Sequence, residues 1–221
     1  SFFNSKEQQD AHEALMKVFN ILDSITKYNV FADLIQSSQH GSQVHSSSIE
    51  DTFQGLMKHS YTCLLCNTKS LHVEPFCEIA INAGGTVGDN ICSSLKSHRT
   101  KHCNICGDDT LHYCEASVVK QPKISTVIIN RFIMLNSGQY TKNTAQILCN
   151  QNLSFTGFSA SLVGIIFHKG CTLTSGHYTA MVFSNNKWFC CNDDNVTLLT
   201  KPDNNFDSNE AYILFYFQSN K

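Results

Sequence analysis

The chain has 221 residues, 16 basic and 18 acidic side chains for a formal net charge of −2, and 42% hydrophobic content. That length suits one large domain with a full core, and the small charge gives no electrostatic case for nucleic acid or an anionic membrane. No run reaches the roughly 18 apolar residues of a membrane-spanning helix, and no signal peptide opens the sequence. Cysteine is the abnormal count, at 11. An odd number excludes complete disulfide pairing, and the chain is too long for a stapled mini-domain. We therefore expect a reducing compartment, cytoplasmic or nuclear, with some cysteines on metal and others buried. The sequence opens on Ser1 rather than Met, and we expect it to be a piece of something longer.

In chain order, Ser5 with Gln8 three residues on is a capping-box pattern. Behind it Ala11, Ala14, Leu15, Val18, Leu22 and Ile25 recur at helical spacing, which predicts a helix from about Lys6 to Ile25. Its first turns carry Gln8, Gln9, Asp10, His12 and Glu13, and acidic groups there already suit the helix dipole. From Gln36 to Ser48 only Val44 is apolar, so a mobile loop is expected. Strand-like runs end at Tyr61-Thr62 and cover Ser70 to Ile81 around Pro75. Thr86 to Ser97 could form a short helix, and Leu111–Val119 and Thr126–Met134 read as strands. Cys63-Leu64-Leu65-Cys66 and Cys103-Asn104-Ile105-Cys106 are two metal knuckles, each beside a strand and a polar turn. Together they predict a closed, structural, four-cysteine zinc site, with two β-excursions between the knuckles. The bland alternative is four buried cysteines or a redox pair.

The later part is strand-rich, with runs at Val127–Ile129, Leu162–Phe167 and Ala211–Phe217. Short connections argue for an antiparallel sheet, and the whole reads as α+β. Within it, Ser175–Val196 has the pattern of a β-hairpin: apolar runs 177–183 and 188–191 flank the polar turn Ser184–Lys187. His177 stands where the first strand begins, and Asn192, Asp193, Asp194 and Asn195 where the second ends, so the open end brings an imidazole to an amide or carboxylate. If the turn is Asn185-Asn186, position 177 faces 194, and 192 and 194 share the face of His177 while 193 points away. A three-residue turn or a bulge reverses that parity.

These residues resemble the ubiquitin-specific proteases, papain-like cysteine peptidases. Gln8-Gln9-Asp10-Ala11-His12-Glu13 is similar to their glutamine box. Phe53-x-Gly55 before the two Cys-x-x-Cys pairs is similar to their zinc-bearing fingers, and Ile128-Ile129-Asn130-Arg131-Phe132 to a strand that usually ends Lys-Arg-Phe. His168-Lys169-Gly170, Ser175–Ala180 and Trp188-x4-Asp193 resemble the histidine box, and Ala211–Tyr216 the closing strand. Departures are Ala14 for a larger apolar residue and Asn130 for Lys. The family's nucleophile box, Gly-x-x-Asn-x-Cys-Tyr, lies upstream of the glutamine box, and nothing like it occurs in this sequence.

The resemblance implies a papain-like α+β fold over 1–221 as a single partial catalytic domain. Residues 1–35 would be thumb helices, 49–120 mostly fingers and 121–221 palm, with the part of the thumb that carries the catalytic cysteine missing. It implies hydrolysis of peptide and isopeptide bonds after the terminal Gly of ubiquitin, with ubiquitin and ubiquitinated proteins as partners. One structural zinc on Cys63, Cys66, Cys103 and Cys106, no catalytic cofactor and a monomeric catalytic domain follow in the same way. His177 would be the base, Asn192 its orienter, and Asp193 the second choice or an oxyanion assistant. Gln9, Asp10, Glu13 and Tyr178 would contact the ubiquitin tail. Cys171 is formally allowed as a nucleophile by chain order but lacks a helix N-terminus to activate it. Without the nucleophile this chain alone is expected to be inactive. Two other readings are a ubiquitin-binding pseudoprotease and a zinc-finger interaction protein with no peptidase ancestry, the latter leaving the histidine box unexplained.

Overall fold

The computed structural model describes residues 10–36, 48–138, 140–155, 158–172, 175–199 and 205–218. Helix α1 spans Ala11–Gln36. Its cap is Asp10, whose Oδ1 accepts from the backbone N–H of His12 (2.9 Å) and Glu13 (3.2 Å), satisfying two of the orphan donors of the first turn. The expected start near Lys6 with Ser5 as cap lies outside the described residues, and the helix runs well past Ile25. Residues 1–9, with Ser5, Gln8 and Gln9, and the expected loop over 37–47 lie outside the described residues. Helix α2 (Ser48–Phe53) packs on α1, with the Phe19 and Phe53 rings 4.4 Å apart.

Strands β1 (Gly55–Cys63) and β2 (Lys69–Phe76) form the first hairpin. The chain then drops into β3 (Glu78–Asn82) and α3 (Val87–Ser94), capped by Thr86, whose side chain accepts from the Asp89 N–H. It climbs back along β4 (Lys96–Cys103) and down β5 (Asp108–Lys120). These four long strands make one antiparallel sheet in the order β2-β1-β5-β4. Pro75 is tolerated in β2 because that strand is an edge, paired on one side only. The helix expected to reach Ser97 stops at Ser94, and Lys96 onward is a strand. Strand β4 is an exposed edge, so its sequence carries no apolar alternation to betray it.

The second layer continues through β6 (Ile124–Asn130), β7 (Phe132–Met134), β8 (Tyr140–Lys142), β9 (Ile147–Asn150), β10 (Asn152–Phe155), β11 (Phe158–Lys169), β12 (His177–Ser184), β13 (Lys187–Asn192), β14 (Asn195–Leu199), β15 (Asn205–Ser208) and β16 (Ala211–Gln218). The large sheet runs β14-β13-β12-β11-β16-β6-β3, with β10 beside β11. It is not purely antiparallel: β3 pairs β6 in parallel, because the finger excursion and α3 separate the two strands in the chain. Its core includes Ile81, Ile91, Val127, Ile129, Trp188 and Leu214, all at most 2% exposed. On part of this sheet Ala11 and Leu15 of α1 pack against Ile128, Tyr212 and Ile213. No described helix is long and apolar enough to cross a membrane.

Arg131 locks the region between β6 and β7. Its fully buried guanidinium donates to the carbonyls of Ala211 (2.6 Å), Asn143, Ala145 and Ser208 (3.0 Å each). Burial pulls its pKa down, yet four carbonyl acceptors replace water around the cation.

Candidate active site

The β12–β13 hairpin turns on Asn185-Asn186, both at positive φ (50° and 59°), the two-residue turn that asparagine favours. Its ladder pairs Ala180 with Cys191 and Val182 with Phe189 without a bulge, so the parity places Asn192 on the His177 face. His177 Nε2 and Asn192 Oδ1 are 2.5 Å apart. Asp193, at φ 50° in the next turn, holds its carboxylate 3.9 Å from the same nitrogen. The expected exit of the second strand is in fact a second tight turn, Asp193-Asp194, leading into β14, which repeats the pairing at Asn192–Asn195. Because the amide oxygen can only accept, Nε2 carries the proton and Nδ1 the free lone pair. The imidazole is 44% exposed, so that lone pair is open to a reacting group.

The loop before His177 is set by close backbone approach. Lys169 pairs with His177 across β11 and β12, and Lys142 Nζ donates to the carbonyls of His168 (2.7 Å) and Gly170 (2.9 Å). A Cβ on Gly176 would collide with the Lys169 carbonyl and lie 2.5 Å from His168 Nε2. The His168 ring, 1% exposed, sits 4.8 Å from the Tyr178 ring and 5.5 Å from that of Phe132. Among the described residues neither of its nitrogens has a hydrogen-bond partner. Burial, with the Lys142 cation adding to it, pushes its pKa below the ordinary 6.5 and keeps the ring neutral.

The N-terminus of α1 meets the same strand from 168 residues away. Asp10 Oδ2 accepts from Tyr212 OH (2.8 Å) and Tyr178 OH (3.4 Å), and the Ala11 N–H approaches the Tyr178 oxygen (3.4 Å). Burial first, then the Asp10 charge, raises the Tyr212 pKa. Burial also lifts that of Tyr178 to about 12, so both phenols stay protonated donors. His12 Nε2 pairs with Glu78 Oε2 at 2.7 Å, tying the helix to β3. Of the acidic candidates, Asp10 is thus occupied by four internal donors. Glu13 is 59% exposed, bound only to Lys17 one turn on (2.6 Å) among the described residues. Gln9 lies outside the described residues. Tyr212 and His168 were not singled out as site residues; the signal for Tyr212 was one of two phenols, with Tyr216, in the otherwise apolar run Ala211–Phe217.

The two Cys-x-x-Cys knuckles are the hairpin turns β1–β2 and β4–β5. Since β1 and β5 are neighbours, both turns lie at one end of the finger sheet, with the Leu64 N–H bonded to Leu111 O (2.9 Å). Each knuckle closes alike: Asn67 N–H donates to Cys63 O (2.9 Å) and Gly107 N–H to Cys103 O (2.8 Å), both residues at positive φ (59° and 74°). All four Sγ atoms lie within 4.8 Å of one another, and the Cys63–Cys106 and Cys66–Cys103 pairs are at 3.9 and 3.6 Å. Tetrahedral zinc with bonds of about 2.3 Å needs sulfur–sulfur edges of about 3.8 Å, so the donor set fits the ion. Hydrogen bonds from the Thr110 hydroxyl and the Cys66 and Leu65 N–H groups pull the Cys63 thiol down to about 5. Burial and the neighbouring sulfurs push Cys106 the other way. Four crowded sulfurs cannot all ionise without a cation among them.

Residues 1–216 match the ubiquitin carboxyl-terminal hydrolase family. The chain belongs to that family. It is 26% identical over 236 residues to ubiquitin carboxyl-terminal hydrolase 25 of Arabidopsis thaliana, covering 99% of this chain and 35% of that protein. It is 29% identical over 192 residues to ubiquitin carboxyl-terminal hydrolase 21 of Rattus norvegicus, covering 77% and 33%. The chain thus spans about a third of the length of these relatives. Among solved structures, a SAGA DUB module bound to monoubiquitin superposes with a TM-score of 0.75 at 22% identity, over 97% of this chain and 49% of that one. The SAGA DUB module bound to ubiquitin aldehyde gives 0.71 at 20% identity, over 97% and 50%. The α+β fold of this hydrolase family is therefore that of the present chain.

Proposed function

We propose that this chain supplies the general base and its orienting residue to a thiol-dependent ubiquitinyl hydrolase. The observation that carries the reading is the His177 Nε2–Asn192 Oδ1 contact at 2.5 Å, which leaves Nδ1 for the nucleophile. In that role Nδ1 takes the proton of a cysteine thiol, forming the thiolate–imidazolium pair, and later hands it to the leaving amine of the cleaved bond. Asn192 holds the ring in the productive tautomer. Asp193, farther off and at a turn, acts on a bound water or on the developing oxyanion. Asp10 pins α1 to Tyr178 and Tyr212, Glu13 and Gln9 face the basic tail of ubiquitin, and Tyr178 borders the channel for its Gly-Gly end. Cys63, Cys66, Cys103 and Cys106 hold one structural zinc that ties the finger tips together. Residues 1–35 then belong to the thumb, 49–120 to the fingers and 121–221 to the palm. The abundance of free thiols suits a reducing compartment, the cytoplasm or nucleus.

A second reading is a ubiquitin-binding pseudoprotease, which would keep the fold and the ubiquitin-facing surface without hydrolysis. The 221-residue chain by itself is expected neither to release fluorophore from a ubiquitin C-terminal conjugate nor to react with a ubiquitin warhead probe. Covalent labelling of Cys171 by that probe contradicts the assignment, since it places the nucleophile inside this chain. Retention on immobilised ubiquitin is expected under both readings; no retention contradicts ubiquitin as partner.

A further inference from the structure

Apart from the His177 site and the four-cysteine cluster, a cavity among the described residues joins a thiol, an imidazole and a carboxylate in series. Register puts Met57, His59 and Tyr61 of β1 on one face of the finger sheet, opposite Glu74, His72 and Ser70 of β2, with Cys114 of β5 beside Tyr61. His59 Nε2 lies 3.0 Å from Glu74 Oε1, and His72 Nε2 holds the other carboxylate oxygen at 3.3 Å. Cys114 Sγ lies 4.0 Å from His59 Nδ1. Met57, His59, Glu74, Cys114 and Arg99 line a cavity of about 240 Å³ at the finger base, where the sheet meets β3 and α3. This is the nucleophile–base–orienter order of an activated thiol, in a place the hydrolase reading does not use.

We propose that Cys114 is a peroxide-reactive thiol, with His59 as its base and Glu74 as the group that fixes the His59 tautomer. With Nε2–H donated to Glu74, the Nδ1 lone pair faces the sulfur. Sulfur attacks one oxygen of a hydroperoxide as its proton passes to Nδ1. The O–O bond breaks, a sulfenic acid forms, and the departing hydroxide or alkoxide takes the proton back from Nδ1. Thiol and hydroperoxide thus give sulfenic acid and water or alcohol, the sulfur losing the two electrons that the peroxide gains. Arg99 on the cavity wall offers a cation to the departing oxygen. Cys114 is only 3% exposed, so the site selects small peroxides over bulky alkylating agents.

The test exposes the zinc-loaded 221-residue chain to hydrogen peroxide, quenches with catalase, unfolds it in dimedone and N-ethylmaleimide, and maps each cysteine by peptide mass spectrometry. Cys149, fully buried and donating to the Ile147 carbonyl (3.9 Å), reports oxidation through global opening. Cys114 is expected to oxidise at least about tenfold faster than Cys149, and His59→Gln or Glu74→Ala to remove about that advantage. Glu74 is half exposed, so its substitution leaves the fold intact even where His59→Gln does not. A Cys114 rate equal to that of Cys149, or unchanged in Glu74→Ala, overturns the proposal.

Discussion

With Nε2–H given to Asn192 Oδ1, the His177 ring is confined to one neutral tautomer, which long-range nitrogen–proton NMR on the chain reads directly. The Nε2–H form is expected to dominate in the native chain and to lose that dominance in Asn192→Ala, while Asp193→Ala leaves it in place. Gly176→Ala thrusts a methyl into the Lys169 carbonyl and the His168 ring and is expected to shift the His177 resonances, lowering stability by about 1–3 kcal/mol. His168 gives a pH signature. Its folded pKa lies below 6.5, so the unfolded chain binds its proton first and stability falls as pH drops below about 6.5. Thermal melts of His168→Gln should show a flatter acid limb than those of the native chain. The closer placement of Asn192 than Asp193 to His177 was legible beforehand, because a two-residue turn fixes strand parity and Asn185-Asn186 is a strong signal for one. The internal role of Asp10 was not. Its partners Tyr178 and Tyr212 lie 168 and 202 residues away, and only the closed fold brings them together.

At the scale of elements, the four cysteines were readable because knuckle spacing is local, whereas the strands that carry them were only partly so. The exposed edge β4 has charged and polar residues on both faces, and nothing in Lys96–His102 alternates. Its register comes from β5 alone. The parallel β3–β6 pairing was equally hidden, since parallel strands are joined through a long excursion rather than a turn. If zinc ties the two finger hairpins, chelation should abolish amide-exchange protection in β1, β2, β4 and β5 while β6, β11 and β16 keep theirs. Protection unchanged by chelation contradicts a structural metal. Arg131 plays the corresponding part in the large sheet without metal. Replacing it with Met leaves the buried Ala211 carbonyl and the part-buried carbonyls of Asn143, Ala145 and Ser208 without their donor, and a loss of about 3 kcal/mol in denaturant unfolding is expected.

For the molecule as a whole, the α+β architecture, helix first and strands after, followed from the motifs and their sequence. The mixed sheet and the meeting of α1 with β12 needed the tertiary structure. Both ends of the chain converge there: Asp10 near the start and Tyr212 near the end brace the strand that carries His177. The family relatives extend well beyond the stretch this chain covers, so the catalytic claim is tested in a polypeptide that joins the chain to a nucleophile-bearing segment of the family. The decisive measurement is kcat/KM for fluorophore release from a ubiquitin C-terminal conjugate in that polypeptide. Hydrolysis is expected to fall about 10³-fold in His177→Ala and about 10²-fold in Asn192→Ala, with a smaller loss in Asp193→Ala. An undiminished rate in Asn192→Ala, alongside a full loss in Asp193→Ala, contradicts the account.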